Sequence, residues 1–363
     1  MNVITQVQDQ NNYKEYITKL QQKLNTSDEV IRSVVKEGIG LDFISKKRII
    51  AGEVNEVYDL LLTNNTHVIL RISHGEYNSF HQEKWALDEV KKIGVPVPEV
   101  LFITHKTIDK DNRQASFCLL EKINGEVLHL GNINFPQLPI KIRKKYIVQA
   151  GEILSKIHSI KTKGHGYLGQ DGKTFYQTAD EILDEFIERV NQPFKQRRTD
   201  INPIHRKLLY FYDKLYGTKE FRLFRKYISP KHTEQVIYIL NEFRKNYIKM
   251  NVCLNHGDFA HKHFMIRNEK IVAILDWGSV RSDMPLYDFV YWDYWFGNSI
   301  PTDWLKEGYQ NKELFDEQFD SYLQILRLMR GIETIWVYSQ QQYSERVKNL
   351  STQFLKDLHS VSI

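Results

Sequence analysis

Only two of the 363 residues are cysteine, Cys118 and Cys253. Both lie in apolar runs, which fits reduced core thiols in a cytosolic protein, and the expected location is cytoplasmic. No run approaches the roughly 18 apolar residues that a membrane-spanning helix needs. The opening stretch, MNVITQVQDQNNYKEY, is polar and has no apolar signal core, so no membrane partner is expected. There is no internal repeat and no low-complexity tract. An excess of one charge is also missing: 50 Lys and Arg against 45 Asp and Glu leave +5, which by itself does not argue for nucleic acid. The rest is ordinary globular composition, 26% charged and 42% hydrophobic, in a chain long enough for a large core and two lobes. A monomer is the expected state.

The stretch Leu254 to Trp277, LNHGDFAHKHFMIRNEKIVAILDW, organises the rest. It opens with His256-Gly257-Asp258; His263 follows five positions later and Asp276 thirteen after that. Phe264-Met265-Ile266 and Ile271 to Leu275 are apolar, β-prone runs, and Arg267-Asn268-Glu269-Lys270 between them suits a hairpin loop. A hairpin would set the residues before its first strand beside the residue that ends its second. Asp258, His263 and Asp276 could then converge, although they are scattered in sequence. Phosphoryl transfer needs such a set: one carboxylate to orient the attacking hydroxyl and accept its proton, and ligands to hold Mg²⁺ against the phosphates. Asp258 is the candidate base, and Asp276 and His263 are the candidate metal ligands. Three incidental polar residues on a buried hairpin are the alternative, at a desolvation cost that argues against it.

These residues resemble the catalytic and metal loops of the aminoglycoside phosphotransferase family, which has the protein-kinase-like fold. Its pattern is His-Gly-Asp, four residues, Asn, then a strand ending in Asp. Here His263 replaces the Asn, as it does in macrolide phosphotransferases; the pattern is also close to that of hygromycin B phosphotransferases. Imidazole suits transition metals better than Mg²⁺, so His263 either ligates the metal, reaches it through water or contacts a phosphate instead. The resemblance implies an α+β, bilobal protein-kinase-like fold, with a small antiparallel-sheet N-lobe at 1–124 and a larger, mainly helical C-lobe at 125–363. The hinge falls at 121–125, the catalytic and metal loops at 254–277, and the substrate helices at about 170–250 and 290–357.

Upstream, residues 1–43 look helical, with a start at Ser27-Asp28-Glu29 and an apolar face of Val30, Ile31, Val34 and Val35. Residues 44–73 read as three strands. Gly52 and Asn55 sit between strands, where a loop could cover phosphates or simply turn; with Tyr58 they resemble the family's Gly-x-x-Asn-x-x-Tyr nucleotide loop. Arg71 interrupts an apolar strand, where kinases place a phosphate-binding lysine. It is either a phosphate grip or an edge-strand residue facing water. A helix from about Ser79 to Ile93 carries Glu83, either the family's partner for the strand cation or one surface carboxylate among several. Phe117 to Leu120 is a strand that runs into the implied hinge, where Glu121 and Ile123 would offer backbone groups to the nucleotide base.

Beyond the hinge, Tyr146 to His158 has helical periodicity and Gly164 to Gly169 reads as a loop. The helix at 178–190 is acidic. Asp184 and Glu185 either receive ammonium groups of a substrate or form a solvated face. Residues 194–250 interleave Lys and Arg with Tyr and Phe, which fits nucleic acid or, preferably, cations snorkelling over an aromatic face. No nucleic-acid partner is expected. Asp288 resembles the family's brace of the catalytic loop. Trp292 and Asp293, in an aromatic run, either wall the acceptor site or pack in the core. No Ala-Pro-Glu segment follows Asp276, which argues against a protein substrate. The implied function is a small-molecule O-phosphotransferase (kinase) that moves the γ-phosphoryl group of ATP or GTP, with Mg²⁺, to a hydroxyl of an antibiotic-like acceptor. The alternatives are a metabolic kinase acting on choline, homoserine or a sugar, and a non-catalytic nucleotide-binding pseudokinase.

Overall fold

A computed structural model describes residues 17–19, 21–22, 24–50, 55–74, 80–108, 113–128, 135–191 and 219–361. Gly52 and residues 194–218 of the basic-aromatic stretch lie outside the described residues. Among the described residues, no helix is long and apolar enough to cross a membrane. The chain divides into two compact units: Met1–Tyr146 with Gly169–Gly172 and Ala260–Gly278, and Ile147–Leu168 with Lys173–Phe259 and Ser279–Ile363.

The first unit is built on a five-stranded antiparallel sheet: β1 (Phe43–Ile49), β2 (Asn55–Leu62), β3 (His67–Ser73), β4 (Val100–Thr107) and β5 (Gln114–Glu121), in the order β1-β2-β3-β5-β4. Alternation sorts its side chains. Tyr58, Leu60, Leu70, Ile72, Phe117 and Leu119 share one buried core with Ile31, Val34 and Val35 of α1 (Asp28–Ile39). Each such side chain, fully buried, contributes roughly 1.5–3 kcal/mol. Helix α1 starts where the Ser27 hydroxyl accepts the Val30 N–H, and it ends at Gly40, whose φ of 76° suits glycine. Residues of the opposite parity, Ile69 and Cys118, form a smaller cluster with Phe80, which precedes α2 (His81–Lys92). Arg71 pairs with Cys118 in register and so belongs to that second face. A three-stranded strip completes the unit: β6 (Glu126–Val127), β10 (Phe264–Arg267) and β11 (Lys270–Ile274), in the order β11-β10-β6.

The second unit is mainly helical. Helix α3 (Ile140–Ser159) begins earlier than its periodicity predicted, and Ile147, Ala150, Leu154 and Ile157 on it are fully buried. The four-stranded sheet is β7 (His165–Leu168), β8 (Thr174–Tyr176), β9 (Cys253–Asn255) and β12 (Arg281–Asp283), in the order β8-β7-β12-β9. The predicted loop at 164–169 is thus largely strand β7. Its glycines read as punctuation, but pairing with β8 and β12 overrides that local signal. The helices are α4 (Ala179–Asn191), α5 (Lys219–Tyr227), α6 (Pro230–Tyr247), α7 (Leu286–Phe296), α8 (Thr302–Gly308), α9 (Phe319–Gln340) and α10 (Ser344–Ser360). Phe224, Val236 and Leu240 of α5 and α6 join Ile332 and Phe354 in one core. Arg225 and Lys226 lie over the rings of Phe224 and Tyr227, so this basic-aromatic segment buries its rings beneath snorkelling cations.

Candidate active site

In the first unit, the expected hairpin forms with a tighter turn than its four polar residues suggested. Asn268 and Glu269 both have positive φ, 51° and 59°, the geometry of a two-residue hairpin turn that follows strand twist. The strands run back together, and the Leu275 N–H donates to the His263 carbonyl at 2.9 Å. That bond sets His263 beside the end of β11, and its Nδ1 lies 3.7 Å from Asp276 Oδ2. Asp276 itself has a φ of 64°, a left-handed conformation that Asp tolerates better than most residues. The buried Trp277 anchors the bend by donating its Nε1–H to the Ile274 carbonyl at 3.1 Å.

Arg71 points at the same place. β3 lies between β2 and β5, so the edge-strand alternative does not apply. Its guanidinium donates to Glu83 Oε1 at 3.3 Å and bonds the other carboxylate oxygen through Nη1, while Nη2 lies 3.5 Å from Asp276 Oδ1. Glu83 is only 2% exposed, so it is no surface carboxylate. Burial pushes its carboxyl up, against the pull of the Arg71 cation. Burial also disfavours the guanidinium, but Glu83 and Asp276 more than offset this and raise its pKa. Gly278 closes the site: a Cβ there would come within 3.2 Å of Glu83 Oε1. The result is a buried Arg–Glu pair that presents a cation next to a carboxylate left 47% exposed. An accessible Asp oxygen beside an imidazole nitrogen fits a divalent cation. The carboxylate suits Mg²⁺, and the imidazole broadens the site toward transition metals.

Asp258 belongs to the second unit. The loop His256-Gly257-Asp258 follows β9 and is braced from α7. Asp288, fully buried, accepts the His256 and Gly257 N–H groups, each at 2.8 Å, and lies 3.2 Å from His158 Nε2. The ring of His256 holds the residue two positions on, its Nδ1 accepting the Asp258 N–H at 3.2 Å. Gly257 has a φ of 81°, and a Cβ there would lie 2.0 Å from the Ser279 carbonyl, so only glycine fits. Burial, with the Asp258 carboxylate's charge nearby, pushes the Tyr291 phenol well above its ordinary range.

The remaining sequence candidates scatter. Asn55 opens β2 with its carbonyl accepting from Gln21 Nε2 at 3.1 Å. Glu121 ends β5, and its N–H donates to the Glu99 carbonyl at 2.9 Å; Ile123 lies half-buried in the link to β6. Asp184 is engaged on the protein itself: with Asp180 it grips Arg244 of α6, at 2.7 and 2.8 Å. Glu185 sits half-buried one residue on. Trp292, suggested as an acceptor wall, is fully buried and donates its Nε1–H to the Ile300 carbonyl. Asp293 is held by Arg327 and by the Thr302 hydroxyl at 2.6 Å, so both residues serve the packing of α7 rather than an acceptor surface. One contact escaped the sequence reading, that of the His256 ring with the Asp258 N–H.

Residues 47–318 match a family model described as the phosphotransferase enzyme family. No curated protein sequence matches the chain. Among solved structures, the chain is similar to a thermostable mutant of aminoglycoside phosphotransferase APH(4)-Ia in ternary complex with ADP and hygromycin B, at 15% identity, TM-score 0.65, and 92% and 99% coverage of the two chains. It is also similar to the GDP complex of an aminoglycoside 2'-phosphotransferase-IIIa, at 14% identity, TM-score 0.56, and 91% and 97% coverage. The gentamicin complex of APH(2")-IIa is a third, at 15% identity, TM-score 0.56, and 93% and 98% coverage. At these identities the likeness speaks to the fold, which is α+β and protein-kinase-like.

Proposed function

Because the chain belongs to the phosphotransferase enzyme family, we propose that this kinase-type small-molecule phosphotransferase moves the γ-phosphoryl group of ATP or GTP to a hydroxyl of an antibiotic-like acceptor. The observation that carries the reading is the Arg71–Glu83 pair turned onto Asp276. Asp258 orients the acceptor hydroxyl and takes its proton as the oxygen bonds to the γ-phosphorus. The bond between that phosphorus and the β–γ bridging oxygen breaks, and a nucleoside diphosphate leaves. Arg71, kept extended and charged by Glu83, grips the phosphates. Asp276 and His263 would hold Mg²⁺, which when bound neutralises charge on the phosphates. Asn55, Glu121 and Ile123 are assigned to the nucleotide by the family resemblance alone. The five residue-to-residue steps from Asp258 to His263 span at most roughly 18 Å, so base and metal residues are tied by a short stretch of chain.

Nucleotide and aminoglycoside complexes of proteins with the same fold support this donor and acceptor type. One observation favours a second reading. Asp184 and Asp293, which could have received a polycationic drug, are engaged by Arg244 and Arg327. That favours a less cationic acceptor, such as a macrolide sugar or a metabolic alcohol. A transfer assay with ATP and GTP against aminoglycosides, macrolides and small metabolic alcohols decides between them. Asp258→Asn should lower turnover by about 10²–10⁴-fold while leaving nucleotide affinity intact, as befits a general base. Turnover retained in that variant would remove Asp258 from the mechanism.

A further inference from the structure

Arg71 is held toward Asp276 only while α2 keeps Glu83 turned inward. Ala86, Leu87 and Val90 bury the apolar side of that helix. Such contacts seat a helix without fixing its rotation, because the hydrophobic effect is non-directional. Rotation matters here. A side-chain tip lies about 5–6 Å from a helix axis, so a roll of about 20° would carry the Glu83 carboxylate about 2 Å. That is enough to break the two-point grip on Arg71, whose bond to Glu83 Oε1 is already 3.3 Å long.

Trp85 supplies a stop on another side of the helix. It stands two residues beyond Glu83, about 200° round the axis. Its indole edge rests on Gly172, in the stretch Gly169–Gly172 that belongs to the first unit. The fit leaves no slack: a Cβ at Gly172 would overlap Cε2 and Cζ2 of the indole and stand 2.7 Å from its Nε1. Gly172 is itself fixed. Its φ is 72°, which glycine adopts without strain, and its N–H donates to the Gly169 carbonyl at 3.1 Å, closing a turn. Gly278 backs the Glu83 carboxylate just as closely. A rigid ring against one bare glycine and a carboxylate against another fix the helix at two points.

We propose that Trp85, seated on Gly172, is the positioning residue that keeps Glu83 on Arg71 and so keeps the phosphate grip assembled. The proposal rests on the reading of Arg71 as that grip. Trp85 touches no reacting atom in this role; it works only through the rotation of α2.

That dependence gives the test, a set of mutant cycles on the full chain, read by calorimetric titration with Mg²⁺-ATP and Mg²⁺-GTP and by melting temperature. Trp85→Ala should weaken nucleotide binding by about 5- to 20-fold, and Trp85→Phe, which restores a flat ring, should recover most of it. Gly172→Asn reaches the same contact from the other side. Asparagine tolerates a positive φ, so the added Cβ acts chiefly by pushing on the indole. It should weaken binding as Trp85→Ala does, and should cost nothing further in the Trp85→Ala background, where the ring it would strike is gone. The deciding variant combines Trp85→Ala with Glu83→Gln: it should bind no more weakly than Glu83→Gln alone, because no ion pair is left to align. Wild-type affinity in Trp85→Ala or in Gly172→Asn, a lowered melting temperature with affinity unchanged, or losses that multiply with Glu83→Gln would overturn the proposal while leaving Arg71 as the grip. Wild-type affinity in Glu83→Gln, or a wild-type protein that binds neither nucleotide, would instead remove the grip and this proposal with it.

Discussion

Replacing Glu56 by Gln tests the polar hub on which the first unit's N-terminal segment hangs. Glu56 lies in β2, one residue after Asn55, and has no exposed surface. Its carboxylate accepts the Thr26 N–H at 3.0 Å and the Thr26 hydroxyl at 2.9 Å, lies 2.8 Å from His74 Nε2, and also takes the Tyr58 hydroxyl. Arg48 joins it at 3.4 Å and reaches the Gln21 and Leu24 carbonyls at 3.0 and 2.7 Å. Burial alone would raise this carboxyl, but the hydrogen bonds from His74, Tyr58 and Thr26 win and pull it from 4.5 down to about 2. A folded value below the unfolded one means stability that is present above about pH 4.5 and lost as pH falls toward 2. The gap is worth roughly 3 kcal/mol at about 1.4 kcal/mol per unit. About 0.8 kcal/mol of it should be gone by pH 4 and about 2 kcal/mol by pH 3. Amide exchange in β1 and β2 reads the free energy of this unit locally. Glu56→Gln keeps the shape but cannot ionise, so the wild type's advantage at pH 7 should shrink by about 0.8 kcal/mol at pH 4. An advantage that stays constant from pH 7 to pH 3.5, or grows, would refute the reasoning.

Glu83→Gln leaves the buried Arg71 paired, among the described carboxylates, with the more distant Asp276; we expect a loss of about 2–4 kcal/mol in thermal unfolding and at least a tenfold weaker Mg²⁺-nucleotide complex by calorimetry. His263→Asn substitutes an amide oxygen for the imidazole beside Asp276. Mg²⁺-supported turnover should stay within about tenfold of wild type while the rate with Mn²⁺ or Co²⁺ relative to Mg²⁺ falls, and an unchanged metal preference would show that His263 does not meet the metal.

What could be read from the sequence alone follows from the range of the interactions involved. The hairpin at 264–274 was legible because both its strands and its turn lie within one short stretch, and closing it brings His263 to Asp276 without help from elsewhere. The face of Arg71 was legible too, since Leu70 and Ile72 must point the other way in an alternating strand. Partners far along the chain were not. Nothing near Asp184 announces that Arg244, sixty residues on, will take it up. The paired Gly164 and Gly166 suggested a loop because strand pairing with β12 is a tertiary fact. Helix α7 shows the limit most clearly. Its sequence, LYDFVYWDYWF, is apolar almost all round, so no amphipathic stripe says which aromatic meets the catalytic loop and which the core. Asp288 is placed by what it binds, the backbone of His256 and Gly257. Tyr291 and Trp292, three and four residues on, fall to either side of it on the same helical face, and both are buried. In a helix apolar almost all round, counting from Asp288 names a face but does not choose between the residues three and four positions on.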